Sequence, residues 1–359
     1  MNYRGLLAIV LLTAASFAQT PRFVNAKVDT VSVSGTLGQT VQSLLQRQSE
    51  PAWIGYAAPT RPDDRTMCCF GSWENQGQGC CGCSLESHND NNFVGHSDDS
   101  NCGPIEPSRV FFVLFRAEDH HVTRVRAFSV GCPLDVAGLP VHWIENVKPA
   151  ESISYLTSLA LTPDATDSDK HGYLDGAIMA IALHDVSEAD AALDKLMGAT
   201  QPERVREKAA FWVGVERGEA GLRLLTKYVK DDPSDRFREK LIFDISQNKT
   251  PGAIPELIDL ARHDPSSRVR SQALFWMAQA GGKKVAQNIT DAIEDDPETE
   301  VKKRAVFALT QMPDHEGVPM LIQVAKTNKN PVVRKQAIFW LGQSQDPRAV
   351  DFLEQILTK

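Results

Sequence analysis

"AIFWLGQ", running from Ala337 to Gln343, sets Phe339 beside Trp340, although neighbours on a helix point about 100° apart. The stretch is either not a helix, or a helix whose two rings serve different surfaces. The residues upstream decide the matter. Sliding the C-terminal half against itself gives a self-match at a shift of 32, with Phe211, Phe243, Phe275, Phe307 and Phe339 in register. Six residues before each Phe stand Val205, Phe237, Val269, Val301 and Val333, each followed by Arg206, Arg238, Arg270, Lys302 or Arg334. Ala209, Leu241, Ala273, Ala305 and Ala337 precede the Phe by two places, and Val213, Ile245, Met277, Leu309 and Leu341 follow it by two. Tyr173 to Ala182 reads as a degenerate sixth copy, with Met179 in place of the Phe.

A further helix in each copy is marked by Leu225, Leu257, Ile289, Leu321 and Leu353, again 32 apart. Breakers at Asp232-Pro233, Asp264-Pro265 and Asp296-Pro297 separate the helices, Asp as a cap and Pro in a first turn. Each copy is thus a pair of antiparallel helices, and one pair alone cannot bury its apolar faces. Stacking the pairs into a solenoid does so.

The sequence pattern around Asp264, Val269, Arg270, Ala273 and Met277 resembles the second helix of a HEAT repeat. The resemblance runs over roughly 150–359 and implies a superhelical α-solenoid. It also implies an Asp and Arg ladder tying successive units, with Asp232 matched to Arg238, Asp264 to Arg270 and Asp296 to Lys302, and with Arg206 and Arg334 in the end copies. Thr200 and Asn328 depart from the Asp column there, and Lys302 lacks the two-pronged contact of Arg.

A helical wheel answers the opening question. With Val333 at 0°, Ala337 falls at about 40°, Trp340 at about −20° and Leu341 at about 80°, which defines a buried side. Trp340 then belongs to the core, as do Trp212 and Trp276, while Phe339 points nearly the opposite way. One turn after each Phe, on its own face, sit Val215, Gln247, Gln279, Gln311 and Gln343. Second helices line the concave side of a HEAT-like solenoid, so the Phe column is expected there as a stripe with Gln beside it. Two outcomes stay open: an apolar groove for an extended peptide or protein partner, or rings that lean into the seams between units and are covered.

The N-terminal half reads differently. MNYRGLLAIVLLTAASFAQ has Arg4, an apolar stretch from Leu6 to Ala15, and small Ser16 and Ala18 where a signal peptidase cuts. Residues 1–18 are expected to be a secretory signal, since ten apolar residues are too few to span a bilayer of about 30 Å. Residues 19–50 read as a linker or flexible arm with a short helical pattern at Val41, Leu44 and Leu45. Residues 51–148 read as a small Cys-rich β domain with a weak core. Its strands are WIGYAA (Trp53 to Ala58), VFFVLF (Val110 to Phe115) and VTRVRAF (Val122 to Phe128), the last two forming a hairpin. The solenoid takes 149–359. The fold class is therefore α+β.

All seven cysteines, Cys68, Cys69, Cys80, Cys81, Cys83, Cys102 and Cys132, lie in the β segment. In an oxidising compartment they read first as disulfides, with one left over from an odd number and a connectivity that spacing does not fix. Zinc with His88, His96, Asp98 or Asp99 is a second reading, although paired C-x2-C knuckles are missing. Thiol redox chemistry at Cys80 to Cys83 is a third. His120 and His121 fall in the hairpin turn, and His142 beside Trp143 reads as a satisfied structural histidine.

A formal net charge of −8 with no long Lys or Arg run argues against nucleic acid as the main partner, and no stretch predicts membrane insertion. No Ser, His and Asp set in a nucleophile elbow, no phosphate-binding Gly loop and no H-E-x-x-H occurs. The expectation is an exported, non-enzymatic scaffold, periplasmic or extracellular, with no cofactor, no metal and a protein or peptide partner; its oligomeric state is not legible. Two rivals remain: a Cys-rich metal or redox module with the solenoid as docking arm, and an enzyme, since some HEAT-like repeats occur in lyases that attach bilin pigments.

Overall fold

The computed structural model describes residues 21–61, 67–68, 83–86, 108–162 and 173–358. The expected signal, Cys69, Cys80, Cys81, Cys102, His88, His96, Asp98 and Asp99 lie outside them. The described residues form two compact units. The first runs to residue 159 and includes 173–180 and 184–186; the second consists mainly of residues from 187 onward.

The first unit is built on a five-stranded sheet. Its strands are β2 (Lys27–Ser32), β3 (Ala52–Pro59), β5 (Val110–Glu118), β6 (His121–Ser129) and β8 (Pro140–Glu145), in the order β2-β8-β3-β5-β6. β2, β8 and β3 run parallel, while β3, β5 and β6 are antiparallel. The expected hairpin is β5–β6, closed by Asp119 and His120, both at positive φ. A small sheet of β1 (Arg22–Val24), β7 (Pro133–Asp135) and β4 (Cys83–Ser84) accompanies it.

Alternation along β3 and β5 sends Trp53, Phe112 and Leu114 to one face, where they pack with Phe128, Leu134, Val141 and Trp143. The other face carries Tyr56, Phe111 and Phe115. It meets helix α2 (Pro149–Ala160) through a Phe115–Tyr155 ring contact and through the hydroxyls of Tyr56 and Ser152, 2.6 Å apart. Trp53, Tyr56, Phe111, Phe112 and Phe115 are all 0% exposed. The weak core expected of this segment is corrected: both faces of its central strands are covered, so they read as continuous apolar runs.

Two boundaries are also corrected. Residues 19–50 are not a linker along their described length. They supply β1, β2 and helix α1 (Leu37–Arg47), whose Val41, Leu44 and Leu45 are buried and whose first turn is held by a capping box of Thr36 and Gln39. Residues 149–159 and 173–180, expected in the solenoid, belong to the sheet unit. The helix of the degenerate copy, α3 (Tyr173–Leu183), lies so close to β6 that a Cβ on Gly176 would come within 2.1 Å of the Val125 carbonyl oxygen.

A polar chain is enclosed under these helices. His184 Nδ1 lies 2.6 Å from the Ala180 carbonyl, which requires Nδ1 to carry the proton, so Nε2 accepts from the Ser152 hydroxyl at 3.0 Å and Ser152 accepts from Tyr56. Burial pushes the Tyr56 phenol well above its usual range. With Tyr56, Ser152 and His184 all at 0% exposure, this serine and histidine serve packing.

The second unit is the helical array. Its even helices are α4 (Ser187–Met197), α6 (Gly218–Asp231), α8 (Ala253–His263), α10 (Ala286–Asp295), α12 (Val318–Thr327) and α14 (Pro347–Leu357). Its odd helices are α5 (Glu203–Glu216), α7 (Asp235–Gln247), α9 (Ser267–Gly281), α11 (Thr299–Thr310) and α13 (Pro331–Gly342). Each odd helix packs closely on the next odd one, whereas successive even helices touch sparingly. This tighter, inner row carries the Phe column.

Candidate binding face

The inner row is built by two periodic choices. Val205, Val269, Val301 and Val333 with Ala209, Ala273, Ala305 and Ala337 are buried and fix each odd helix against its neighbours. That leaves the Phe positions a third of a turn and more away, at the open edge. Phe211, Phe243, Phe275 and Phe307 are half-buried and Phe339 is 53% exposed, so the rings neither stand free nor vanish into the seams.

The tryptophans are corrected. Trp212 is buried at 6%, but Trp276 and Trp340 are half-buried, and all three join the phenylalanines in one line. Phe211 meets Trp212 at 5.2 Å and stacks on Phe243 at 6.2 Å; Phe243 meets Trp276 at 4.7 Å, and Trp276 meets Phe275 at 4.9 Å. Phe275 stacks on Phe307 at 6.0 Å, Phe307 meets Trp340 at 4.9 Å, and Trp340 meets Phe339 at 5.0 Å. Eight rings thus run unbroken across five helices. The adjacency of Phe339 and Trp340 places the two rings edge to face in one row, rather than on opposite surfaces.

The row has a hidden period of 64. After each Phe comes Trp212, Asp244, Trp276, Ala308 or Trp340. Trp276 and Trp340 each reach back to the Phe of the helix before; at Asp244 and Ala308 the two phenylalanines stack directly. The close approach this needs is visible at Gly214, where a Cβ would meet the Asp244 carbonyl oxygen at 2.4 Å.

The Gln column divides. Gln247 and Gln311 turn their amides to Ser246 and Thr310 on their own helices, at 3.2 and 2.9 Å, while Gln279 and Gln343 are exposed. Beside them, Trp340 Nε1 is enclosed with no acceptor among the described residues.

A ladder of buried ion pairs holds the row in step. Arg206 bonds Asp232, Arg238 grips Asp264 at 2.6 and 2.7 Å, and Arg270 grips Asp296 at 2.8 and 3.2 Å. Each arginine therefore pairs with the aspartate carboxylate of the following copy, 26 residues on; of the aspartate six residues before it, Arg270 meets only the backbone carbonyl, at 2.9 Å. Oδ1 of each aspartate also accepts a backbone N–H, from Ser234, Ser266 and Glu298 in turn. Lys302 ends the series: its ammonium bonds the Glu294 carbonyl, while Asn328 reaches Glu294 at 2.8 Å. Arg334 bonds the Asn328 carbonyl at 2.7 Å. Arg206 also lies 3.8 Å over the Phe237 ring, which explains an aromatic in a valine column.

Paired helices, a 32-residue step and this ladder agree with the family description of HEAT repeats, which matches residues 222–302 and 286–359. Residues 222–359 are HEAT repeats. No curated protein matches the chain. Among solved structures, human deoxyhypusine hydroxylase is similar at 14% identity and a TM-score of 0.30, over 59% of this chain and 80% of that one. The Nostoc phycocyanin lyase complex of CpcE and CpcF is similar at 16% identity and 0.28, over 58% and 81%. The Schizosaccharomyces pombe condensin Cnd3–Cnd2 subcomplex is similar at 17% identity and 0.32, over 55% and 29%. Likenesses this slight carry no activity across.

Away from the HEAT repeats, Cys68 and Cys132 form a disulfide inside the sheet core, with Leu134 and Trp143 in the same cluster. Cys83 sits in β4. His120 bonds the Leu45 carbonyl at 2.8 Å, and His142 Nε2 meets Gln48 at 3.0 Å. Among the described residues, no three His, Cys, Asp or Glu side chains gather closely enough to hold a metal ion.

One residue of the inner row went unremarked in the sequence. Asp244 is 5% exposed, and among the described residues no hydrogen bond holds its carboxyl. Burial first, and the like charge of Glu207 second, push it well above the usual carboxylate range, against the pull of Lys240. Its signal was an acid in a column otherwise filled by Trp and Ala.

Proposed function

We propose that this chain is an exported, non-enzymatic scaffold whose HEAT solenoid holds an extended segment of a protein partner along its inner face. The observation that carries the reading is the unbroken ring row, half-covered along its length and open at Phe339. Aromatic area presented on a rigid curved support suits capture of an extended chain, because the rings lose little freedom on binding. Export is supported by the apolar leader and by the disulfide in the sheet core.

The test is selection of peptides from a displayed random library on the full mature chain, followed by titration of the selected peptides into Phe275→Ser and Phe339→Ser variants. Loss of affinity in both, with helices α4 to α14 still folded by circular dichroism, is the expected result. Affinities unchanged in both variants would overturn the reading.

A further inference from the structure

Asp244 and Ala308 occupy equivalent places, one residue after the Phe and 64 residues apart. Each belongs to a seam closed by a directly stacked phenylalanine pair, Phe211–Phe243 for Asp244 and Phe275–Phe307 for Ala308. Ala308 is fully buried at 0%, so a methyl group satisfies the packing of such a seam. The carboxyl of Asp244 is therefore surplus to the fold. It also costs stability, because an acid at 5% exposure that no hydrogen bond holds is poorly stabilised in its ionised form unless a cation opposes it. The nearest charges are Glu207 on α5 and Lys240 on α7, and these two already pair with each other.

We propose that the seam between α5 and α7 is the point of the groove that selects its partner: it takes the ammonium or guanidinium of a Lys or Arg side chain, with Asp244 as counter-ion and the Phe211–Phe243 pair as flanking rings. The proposal rests on the groove reading given above and adds the chemistry of the occupant. A cation beside a carboxylate and ring faces is stabilised by both, and the apolar stem of Lys or Arg matches the ring row. Docking of the cation favours the ionised form of the Asp244 carboxyl, so the filled seam holds an ion pair. The Trp-filled seam at Phe243–Trp276 has an indole where this one has the acid, which leaves the neighbouring seam to bind apolar groups.

The experiment uses the full mature chain and two probes, Nα-acetyl-lysine methylamide and its uncharged counterpart Nα-acetyl-norleucine methylamide, whose side chain lacks the terminal amine. Binding is followed by the NMR signals of the Asp carboxyl carbons and the Phe rings. The lysine probe is expected to shift Asp244, Phe211 and Phe243 saturably, and to lose about tenfold or more in affinity in Asp244→Asn. Asp244→Ala, which copies the Ala308 seam, keeps the test decisive if the Asn variant fails to fold. Lysine and norleucine probes binding alike at the inner row would overturn the cation assignment and leave the groove standing. Equal lysine affinity in wild type and both variants would overturn it as well. Absence of any probe binding, while library peptides still compete at Phe275 and Phe339, would remove the cation seam alone; absence of both would end both readings.

Discussion

The two units place aromatic rings by different rules. In the sheet unit, Trp53, Phe111, Phe112 and Phe115 come from strands whose two faces are both covered, and they are completely enclosed. In the solenoid, Phe211 to Phe339 come from helices that each lend one edge to a shared row, and enclosure stops halfway. The first arrangement closes on itself. The second cannot close, because each copy completes its neighbour's contact and the row extends as far as copies are added. A ring in the sheet unit therefore contributes to stability, whereas a ring in the row divides its area between stability and a surface left open.

The largest effect that could break this contrast is Phe112→Ala. A fully enclosed ring in the sheet core should cost about 3 to 5 kcal/mol, read as a drop in the denaturant midpoint of the mature chain; a loss below about 1 kcal/mol would show that core to be loosely packed. Trp276→Ala comes next. Although indole is the larger ring, its half-covered position should bring the cost to about 2 kcal/mol, and a cost equal to that of Phe112→Ala would place Trp276 in a closed core after all.

Asp244→Ala should act in the opposite direction, raising stability by about 1 kcal/mol near neutral pH. The sign follows from linkage. The folded carboxyl is raised above its ordinary value of 3.8, so the folded state holds the proton more tightly than the unfolded one. Its contribution is fully present below that ordinary value and is lost as pH rises through the raised one. Stability measured against pH should therefore fall across that window in the wild type and flatten in the variant, with Glu207 and Lys240 unchanged as neighbours. A parallel pair of curves would show that Asp244 is not held as argued. The smallest effect belongs to Phe339→Ser, within about 0.5 kcal/mol, since more than half of the ring is already in water.

Much of the solenoid was legible because its period is carried by residue classes that packing constrains tightly: Val, Ala and Phe in fixed register, with Arg one place after the Val. The Arg and Asp columns were visible, but their pairing was not. An arginine six residues after one aspartate and 26 before another is close to both along the sequence, and only the stacking shows which lies within reach. The wheel placed Trp340 near the edge of the buried arc, and an angle assigned to a Cβ says little about where an indole ends. Its length lets it reach the Phe of the preceding helix.

The sheet unit was harder to read for two physical reasons. β2 is an edge strand with Val28 and most of its neighbours exposed, so it lacks the apolar alternation that marks a strand. α2 and α3 have ordinary helical spacing, which announces a buried face without saying whether a sheet or another helix covers it. Asp244 was not legible as a site because an acid among Trp and Ala in a helical column does not say whether it is enclosed or in water.

Whether the inner row is an open surface decides between the two arrangements. Solvent paramagnetic relaxation of the phenylalanine ring signals, recorded on the mature chain before and after saturation with a library-selected peptide, tests this directly. The rings of Phe243, Phe275, Phe307 and Phe339 should relax strongly when free and be shielded when the peptide is bound, while Phe111, Phe112 and Phe115 stay protected throughout. Inner-row rings as protected as those of the sheet, with or without peptide, would contradict it.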